Sequence, residues 1–246
     1  MNTVIGIDLG SRTTKILTLT EGEIRHSEIF DTGHDPLPRI KRALDDLETA
    51  PVIATGYGRH LLREEIGARI LTEIRACGKG VRALFPSARL ILDVGGQDCK
   101  VIALDENGKV SDFEMNDRCA AGTGKFLEVM AQTFDTGIEG LVHLACSTDR
   151  HVPINSMCTV FAESEVVSLI TSGSPRNQIA RGLHVAIADR LAAMVKKFPS
   201  EGDTVFVGGG AKNGCLHTLL EQRLKSELLR PDDPQLVTAF GAALLA

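Results

Sequence analysis

Two cysteines stand directly before predicted helices, in positions that suit a thiolate bound to a metal. Cys119 precedes a small-residue turn at 120–124, which leads into an amphipathic helix pattern. Cys158 repeats the arrangement, with Asn155 and Ser156 as candidates for capping the helix that follows. A helix N-terminus carries unpaired N–H groups and about half a positive charge, so it lowers the pKa of a nearby thiol and favours the thiolate. We therefore interpret Cys119 and Cys158 as partners in one site.

The remaining cysteines are predicted to lie outside that site. The chain contains six cysteines but no C-x-x-C pair, which argues against a disulfide framework. The ordinary role of a free cysteine is that of a small packing residue, and we predict it for Cys77, Cys99, Cys146 and Cys215. A zinc site could be drawn from Cys158 together with His143, Cys146 and His151. The irregular spacing of these residues argues against it.

A polar hairpin near the start of the chain is the second chemical pattern. The apolar run at 4–8 predicts a strand that ends in Asp8, and further strands are predicted after the bend. Asp8 can hold a magnesium ion through water, and Gly10 lets the backbone approach phosphate oxygens. The bend supplies hydrogen-bond donors and cations from Ser11, Arg12, Thr13, Thr14 and Lys15. An ordinary glycine-containing hairpin turn explains the same residues equally well.

The plan of this hairpin recurs in the middle of the chain. A buried-strand pattern at 89–94 carries Asp93 at its end, leads into Gly95 and Gly96, and is followed by two more strand patterns. Gln97 and Asp98 are polar enough to orient a water molecule or a metal ion. Two such hairpins, each with an aspartate at the strand end, could grip one nucleotide from opposite sides.

The last predicted strand covers residues 204–207, and a third glycine-rich turn follows it. The turn consists of three glycines and two further residues: Gly208, Gly209, Gly210, Ala211 and Lys212. The glycines remove side chains where a flat ligand would lie against the backbone. A flexible strand-to-helix turn is the alternative, but after two phosphate-type hairpins we favour adenosine binding.

Composition excludes several other classes of protein. The chain has 246 residues, 43% of them hydrophobic, which is enough for a sizeable core in one two-lobed unit or two small domains. The net charge of −5 and the scattered basic residues argue against a nucleic-acid surface. No apolar run approaches the length of a membrane span and no signal sequence is recognisable, so we expect a cytoplasmic protein with no membrane partner.

Helices must position the chemical groups described above. Apolar spacing predicts helices at 35–47, 61–81, 160–171, 178–198 and 216–224, besides the one that follows Cys119. Residues 137–153 are expected to form a connector. Small residues at 234–244 predict a C-terminal helix that packs closely against its neighbours.

With these motifs in place, the chain resembles the ATPase superfamily of actin, sugar kinases and heat-shock chaperones. The likeness is carried by two phosphate motifs and an adenosine motif: Asp8-Leu9-Gly10-Ser11, Asp93-Val94-Gly95-Gly96-Gln97-Asp98 and Gly208-Gly209-Gly210. The resemblance implies an α/β fold of two actin-like lobes with duplicated ribonuclease H-like domains and a nucleotide in the cleft between them. It implies one lobe at 1–85 with the C-terminal helix 235–246, and a second lobe at 86–234 that carries the cysteines.

The same resemblance implies roles for individual residues. Asp8, Asp93 and Gln97 are the implied catalytic residues, acting on ATP with Mg²⁺. The implied nucleotide-binding residues are Gly10, Ser11, Arg12, Thr13, Thr14, Lys15, Gly95, Gly96, Gly208, Gly209, Gly210, Ala211 and Lys212.

Within that superfamily, the cysteine motifs are similar to those of the activators of 2-hydroxyacyl-CoA dehydratases, which are related to the ATPase subunits of benzoyl-CoA reductase. These motifs are Asn116-Asp117-Arg118-Cys119-Ala120-Ala121-Gly122-Thr123-Gly124 and Cys158-Thr159-Val160-Phe161-Ala162-Glu163-Ser164-Glu165. The resemblance implies a homodimer with one [4Fe-4S] cluster, held by Cys119 and Cys158 of each subunit. A cubane cluster usually takes four thiolates, and a twofold axis doubles two to four. Also implied are a dehydratase or reductase iron–sulfur component as partner, and a ferredoxin or flavodoxin as reductant.

One residue departs from the family pattern, and two other functions compete with this one. Cys99 stands where a serine is expected after Gly-Gly-Gln-Asp. A small-molecule kinase of the same fold is the main alternative, although the chain leaves little room for an insertion that binds an acceptor. A nucleotide-dependent assembly or chaperone module without catalysis is the other. The kinase alternative also gives the cysteine motifs no task.

Overall fold

The computed structural model describes residues 3–45 and 50–246. Residues 1–2 and 46–49 of the predicted lobe 1–85 lie outside the described residues, and so does the end of the predicted helix 35–47.

The first sheet has five strands, β1 (Thr3–Leu9), β2 (Thr13–Thr20), β3 (Glu23–Asp31), β4 (Val52–Thr55) and β5 (Arg69–Ile70). Their order across the sheet is β3-β2-β1-β4-β5. The first three strands are antiparallel neighbours, whereas β4 and β5 continue the sheet in parallel from β1. The helices of this part are α1 (Leu37–Leu44), α2 (Arg59–Ile66) and α3 (Glu73–Leu84).

The second sheet repeats this plan with β6 (Ala88–Val94), β7 (Cys99–Leu104), β8 (Val110–Asn116), β9 (Asp203–Val207) and β10 (Leu228–Leu229). Its order, β10-β9-β6-β7-β8, is that of the first sheet when it is read from β8. The later helices are α4 (Gly124–Thr133), α5 (Ile138–Cys146), α6 (Thr159–Thr171), α7 (Arg176–Val195), α8 (Gly214–Leu224) and α9 (Val237–Ala243). The repeated strand order confirms the predicted α/β fold with duplicated ribonuclease H-like domains.

The chain separates into two compact units. The first comprises Met1–Ile91, Ile102–Phe113 and Pro231–Ala246, and the second comprises Leu92–Val101 and Glu114–Arg230. The predicted lobe boundaries, and the predicted place of a nucleotide between the lobes, stay predictions. Along the described ranges, none of the helices combines the length and the apolar character that crossing a membrane requires.

Apolar side chains cover both faces of the first sheet. Side chains along a strand alternate between the two faces. Val4 of β1 accordingly packs in one cluster with residues of α3 and α9, whereas Ile5 and Ile7 pack in another with residues of α1 and α2. Covering both faces of β1 buries the strand and fixes the position of its last residues, where Asp8 lies.

The predicted single helix at 61–81 is wrong. The chain forms α2, turns at Gly67, adds the short strand β5 and then begins α3. Gly67 adopts the left-handed conformation, with φ of +68°, which ends α2 at little steric cost. Both helices carry apolar residues because each packs on the first sheet, α2 on one face and α3 on the other. The expected connector at 137–153 also contains a helix, α5.

Glycines let α9 pack against β1 and α3 with almost no space between the backbones. A Cβ at Gly241 would overlap the carbonyl oxygen of Ala76 in α3. A Cβ at Gly80 would overlap the carbonyl oxygen of Val237, and one at Gly6 would overlap that of Ala239. In the sequence, Gly80 resembles a glycine that ends a helix. In the structure, α3 continues through it to Leu84, so this glycine serves close packing and does not end the helix.

Replacing Gly241 with alanine is expected to destabilise the protein by about 1–3 kcal/mol or more, because no room exists for the added methyl group. The measurement is urea unfolding followed by far-UV circular dichroism. Gly214→Ala is the matched control, since a Cβ at Gly214 meets nothing within 4 Å. An unfolding midpoint of Gly241→Ala equal to that of Gly214→Ala would contradict the close-packing account of α9.

Candidate functional site

Asp8, the residue before the last in β1, is a buried carboxylate with one unsatisfied oxygen. The residue is 4% exposed, and Lys15 Nζ donates to its Oδ2 at 2.9 Å. In the described part of the chain, Oδ1 is buried and has no hydrogen-bond partner. A buried polar atom in that state costs free energy, and carboxylate oxygens are preferred ligands of Mg²⁺ and of its water shell. The carboxylate therefore fits a magnesium site.

Two glycines after β4 lie directly against this end of β1. Gly56 has φ of +86°, and a Cβ there would overlap Asp8 Oδ1 and lie 2.6 Å from the carbonyl oxygen of Leu9. A Cβ at Gly58 would lie 2.5 Å from Leu9 Cγ. Only glycine allows the chain to pass so close to the carboxylate. No pattern in the sequence connects these glycines with Asp8.

The residues predicted to contact phosphate lie in different surroundings. Ser11 and Arg12 are exposed at the bend between β1 and β2. Thr14 is buried, and its hydroxyl shares a 3.0 Å hydrogen bond with that of Thr32. The half-buried residues are Gly10, Thr13 and Lys15. The bend thus presents Ser11 and Arg12 at the surface, whereas Thr14 is held in the core.

Asp93 repeats the arrangement at the end of β6, with a lysine that was not predicted from the sequence. Lys100 Nζ lies 3.6 Å from Asp93 Oδ2 and 2.9 Å from Asp98 Oδ2. The Lys100 side chain is 2% exposed, so its charge is held against the two carboxylates. The pairs Asp8–Lys15 and Asp93–Lys100 have the same sequence spacing, and that shared spacing was the signal for Lys100. Gln97, the third predicted catalytic residue, is exposed in this hairpin.

The predicted adenosine turn packs against Asp93 as Gly56 packs against Asp8. Gly208 has φ of +81°, and a Cβ there would lie 2.5 Å from Asp93 Oδ1. A Cβ at Gly210 would lie 2.5 Å from Val94 Cγ1. Among the other predicted residues, Ala211 is buried, whereas Gly209 and Lys212 are exposed. Each duplicated half therefore combines a strand-end aspartate, a lysine partner and a glycine pair.

Cys119 is exposed on the loop between β8 and α4. The first helical residue is Gly124, and Thr123 is the N-cap, so a turn separates the thiol from the helix as predicted. The Asn116 side-chain amide donates to the carbonyl oxygen of Cys119 at 2.9 Å. This contact fixes the backbone of Cys119 and leaves the thiol at the surface.

Cys158 is exposed as well, and it is itself the N-cap residue of α6. The prediction that Asn155 and Ser156 cap this helix is wrong, because Cys158 occupies the N-cap position and no side chain of the described residues makes a cap hydrogen bond there. The backbone N–H groups of Asn155 and Ser156 instead donate to the Glu165 carboxylate at 2.9 Å. Burial alone raises the pKa of Glu165, but the hydrogen bonds from Asn155 and Ser156 outweigh it and hold that pKa below its usual value. Glu165 thereby ties the loop before Cys158 to the body of α6.

Comparison with known families identifies the protein family to which this chain belongs. The family model of the BadF/BadG/BcrA/BcrD ATPases matches residues 5–246. The chain belongs to the BadF/BadG/BcrA/BcrD ATPase family. It is 38% identical to the activator of lactoyl-CoA dehydratase from Anaerotignum propionicum, with 98% of this chain and 96% of that protein covered. It is 36% identical to the (R)-2-hydroxyglutaryl-CoA dehydratase activating ATPase from Acidaminococcus fermentans, with 98% and 96% covered.

A solved structure of the same kind superposes on this BadF/BadG/BcrA/BcrD ATPase. It is the activator of the 2-hydroxyisocaproyl-CoA dehydratase from Clostridium difficile with bound ADPNP. The TM-score is 0.92 at 37% identity, with 99% of this chain and 94% of that chain covered. The actin-like ATPase fold therefore extends over nearly the whole chain.

The donor set of this ATPase fits half of a cubane cluster. Cys119 and Cys158 are exposed thiols on loops that precede α4 and α6. Within the described ranges, no group of three or more His, Cys, Asp or Glu side chains is arranged to hold a metal ion by itself. Because a [4Fe-4S] cluster usually takes four thiolates, two such cysteines fit it only when a second copy contributes its own pair.

The other cysteines are buried with one exception. Cys77, Cys99 and Cys215 are buried as predicted, and burial raises the pKa of Cys99 and raises that of Cys215 to about 11. Cys146 is exposed at the end of α5, so its prediction as a buried thiol is wrong. The helix that carries it was not predicted, and therefore neither was its exposed face.

A buried histidine supports the turn at Gly208. Asn213 caps α8 by accepting from Leu216 N at 3.0 Å, and its Nδ2 donates to His184 Nε2 at 3.0 Å. His184 Nδ1 in turn donates to the Ala180 carbonyl oxygen at 2.8 Å. Burial lowers the pKa of His184 to about 4, so the ring is neutral in the folded ATPase.

Acid should therefore destabilise this ATPase through His184. Because the pKa is lowered in the folded state, its stabilising effect is complete above about pH 6.5 and is lost progressively as the pH falls towards about 4. Between pH 7 and pH 5 the expected loss is on the order of 2 kcal/mol. Urea unfolding at both pH values measures it. His184→Gln should reduce the loss and His151→Gln, at an exposed position, should not; an equal loss in all three proteins would contradict the assignment.

Proposed function

We propose that this chain is an ATP-hydrolysing one-electron donor that activates a 2-hydroxyacyl-CoA dehydratase or a related low-potential reductase. Two copies of the chain would hold one [4Fe-4S] cluster between them. The observation that carries the proposal is the presence, in one chain, of duplicated aspartate–lysine hairpins and two exposed cysteines ahead of helices. A kinase of the same fold needs the hairpins but has no use for the cysteines.

On the nucleotide side, the strand-end aspartates would bind the magnesium ion and orient the attacking water. Asp8 Oδ1 has no partner in the described part of the chain, and it would hold Mg²⁺ or its water. Asp93 would orient the attacking water, with Gln97 exposed beside it. Gly95 and Gly96 would let the backbone approach phosphate, and Gly208–Gly210 would accept the adenosine. The ion pairs with Lys15 and Lys100 hold both carboxylates in place.

On the cluster side, Cys119 and Cys158 of each copy would supply the four thiolates. When bound, the cluster supplies one electron at low potential. Val160 and Phe161 follow Cys158 and are 67% and 66% exposed. Large apolar side chains at the surface mark protein interfaces, so they would pack against the second copy and shield the ligands from water.

ATP is energetically sufficient for this task. For one electron, about 59 mV corresponds to about 1.4 kcal/mol, so lowering a potential by about 250 mV requires about 6 kcal/mol. A ligand that reverses a two-state equilibrium from 1:99 to 99:1 supplies about 5.5 kcal/mol of differential binding. The free energy available from a nucleotide-driven change of conformation is therefore comparable to the free energy that the electron transfer requires.

The client would be a dehydratase or reductase iron–sulfur component, and the reductant a ferredoxin or flavodoxin.

Anaerobic purification of the wild-type chain tests the proposal. Iron, acid-labile sulfide and molecular mass are measured on one sample, together with ATP hydrolysis. A brown dimer with about four irons and ATPase activity is expected. A colourless protein that phosphorylates an added sugar or acid would establish the kinase alternative. A colourless protein that assembles with ATP without hydrolysing it would establish the assembly module.

A further inference from the structure

The hairpin that contains Gly95 and Gly96 touches the loop of Cys119 at both ends of that loop. At the C-terminal end of the loop, Gly124 N donates to the Gly95 carbonyl oxygen at 3.0 Å. The next backbone group, Lys125 N, donates to the Gly96 carbonyl oxygen at 2.7 Å. The first turn of α4 is thus hydrogen-bonded to the proposed phosphate-binding backbone itself. These two N–H groups are directed at the hairpin, so they are not donors to the Cys119 thiolate.

At the N-terminal end of the loop, Asn116 makes the second connection to the hairpin. Its Nδ2 donates to the carbonyl oxygens of Cys119 at 2.9 Å and Ala121 at 3.4 Å. The same nitrogen lies 3.8 Å from the sulfur of Cys99, the first residue after the hairpin bend. One side chain therefore joins the end of the hairpin to the backbone at Cys119 and at Ala121.

The loop between these two connections is internally braced. Thr123 is fully buried, and its hydroxyl and backbone N–H both donate to the Ala120 carbonyl oxygen, at 2.7 and 2.9 Å. Residues 120–123 therefore form a short braced turn. Main-chain hydrogen bonds connect its C-terminal end to the hairpin and Asn116 connects its N-terminal side, so neither connection depends on a long flexible side chain.

We propose that the contacts of hairpin 95–99 with Asn116 and with the first turn of α4 convert nucleotide binding into a change in the position of Cys119. This inference rests on the proposed function, since it assigns the route by which ATP reaches the cluster ligand. Asn116 is a positioning residue in this route, because it acts on the backbone of Cys119. Gly124 belongs to it through its N–H group. A Cβ there would lie 3.3 Å from Gly95 O, which is close but does not overlap it.

Proline at position 124 removes one connection without breaking α4. The first helical position tolerates proline, and Thr123 has the extended conformation, with φ of −109° and ψ of 169°, that a residue before proline prefers. Gly124→Ala is the matched control, because it adds a Cβ but keeps the N–H group. For the second connection, Asn116→Asp removes the donor with little change of shape, and Asn107→Asp on an exposed turn is the matched control for charge.

Hydrogen exchange of the anaerobically purified holoprotein measures the coupling. Amide exchange in the peptide 117–124 is compared with and without a non-hydrolysable ATP analogue and Mg²⁺, and the rate of iron loss to a chelator is followed in parallel. In the wild type, the nucleotide is expected to change both rates by about fivefold, which is within the usual range of allosteric coupling. Gly124→Ala and Asn107→Asp should respond like the wild type. Gly124→Pro and Asn116→Asp should bind the nucleotide but lose most of the response.

The outcomes separate this inference from the function on which it rests. If the wild type binds no nucleotide or no iron, the proposed function fails and the inference fails with it. If it binds both and neither rate responds to nucleotide, only the inference fails. A full response in both Gly124→Pro and Asn116→Asp would also overturn it. Should Gly124→Pro not fold, as judged by circular dichroism, Asn116→Asp and Asn116→Ser decide the question.

Discussion

Serine at position 119 or 158 is expected to remove essentially all of the iron from the anaerobically purified protein. The reason is the symmetry of the proposed dimer, in which each substitution would remove two of the four thiolates from a site built by two copies. A hydroxyl is a poor replacement, since iron in such clusters is held by thiolate. The expected change is from about four irons per dimer to fewer than about one, accompanied by loss of the brown colour. Iron and sulfide assays on Cys119→Ser and Cys158→Ser measure it.

Cys146→Ser is the matched control for this experiment, because Cys146 is also exposed and lies outside the two helix starts. It should retain the full iron content and the dimeric mass. Full iron content in both Cys119→Ser and Cys158→Ser would contradict the ligand assignment. A wild-type protein that is brown but strictly monomeric would contradict the shared cluster, whichever residues bind it.

ATP hydrolysis is expected to fall by on the order of 100-fold or more when Asp8 is replaced with asparagine. The substitution removes the charge that would hold Mg²⁺ near the buried Oδ1 and weakens the ion pair with Lys15. The shape of the side chain barely changes, so the glycine contact at position 56 is preserved. Initial rates at saturating ATP and Mg²⁺, with iron content measured on the same samples, provide the test.

Asp112→Asn is the control for loss of one negative charge, since Asp112 is exposed on β8. It should hydrolyse ATP at the wild-type rate. Iron content should be the same in Asp8→Asn, Asp112→Asn and the wild type, because Asp8 is not a cluster ligand. Hydrolysis by Asp8→Asn at the rate of Asp112→Asn would show that this carboxylate does not hold the catalytic ion. Circular dichroism establishes whether a slow variant is folded.

Several features of the fold could be predicted from short stretches of sequence. The strands that end in Asp8 and Asp93 were recognisable because apolar runs before glycine-rich turns are local patterns. The separation of Cys119 from α4 by a turn was recognisable from the small residues between them. The duplicated plan followed from two hairpins with the same order of residue types.

Other features depended on partners far away in the chain. Lys100 was missed although its spacing from Asp93 matches that of Lys15 from Asp8, because its role depends on burial between two carboxylates. Asn155 and Ser156 looked like helix caps, but α6 begins after Cys158, and Glu165 from within that helix binds the backbone N–H groups of both residues. Cys146 was expected to be buried, since the exposed face of α5 could not be known before the helix was placed.

By itself, the sequence determined which residues stand at strand ends, in glycine turns and before helices, because periodicity, turn formation and capping act over a few residues. Tertiary structure decided which of them meet. It placed Gly56 and Gly208 against the two aspartates, α9 against α3, and the Gly95–Gly96 backbone against the start of α4. These close approaches depend on the absence of side chains between segments distant in sequence, and no local pattern records which backbone will occupy the space that a glycine leaves.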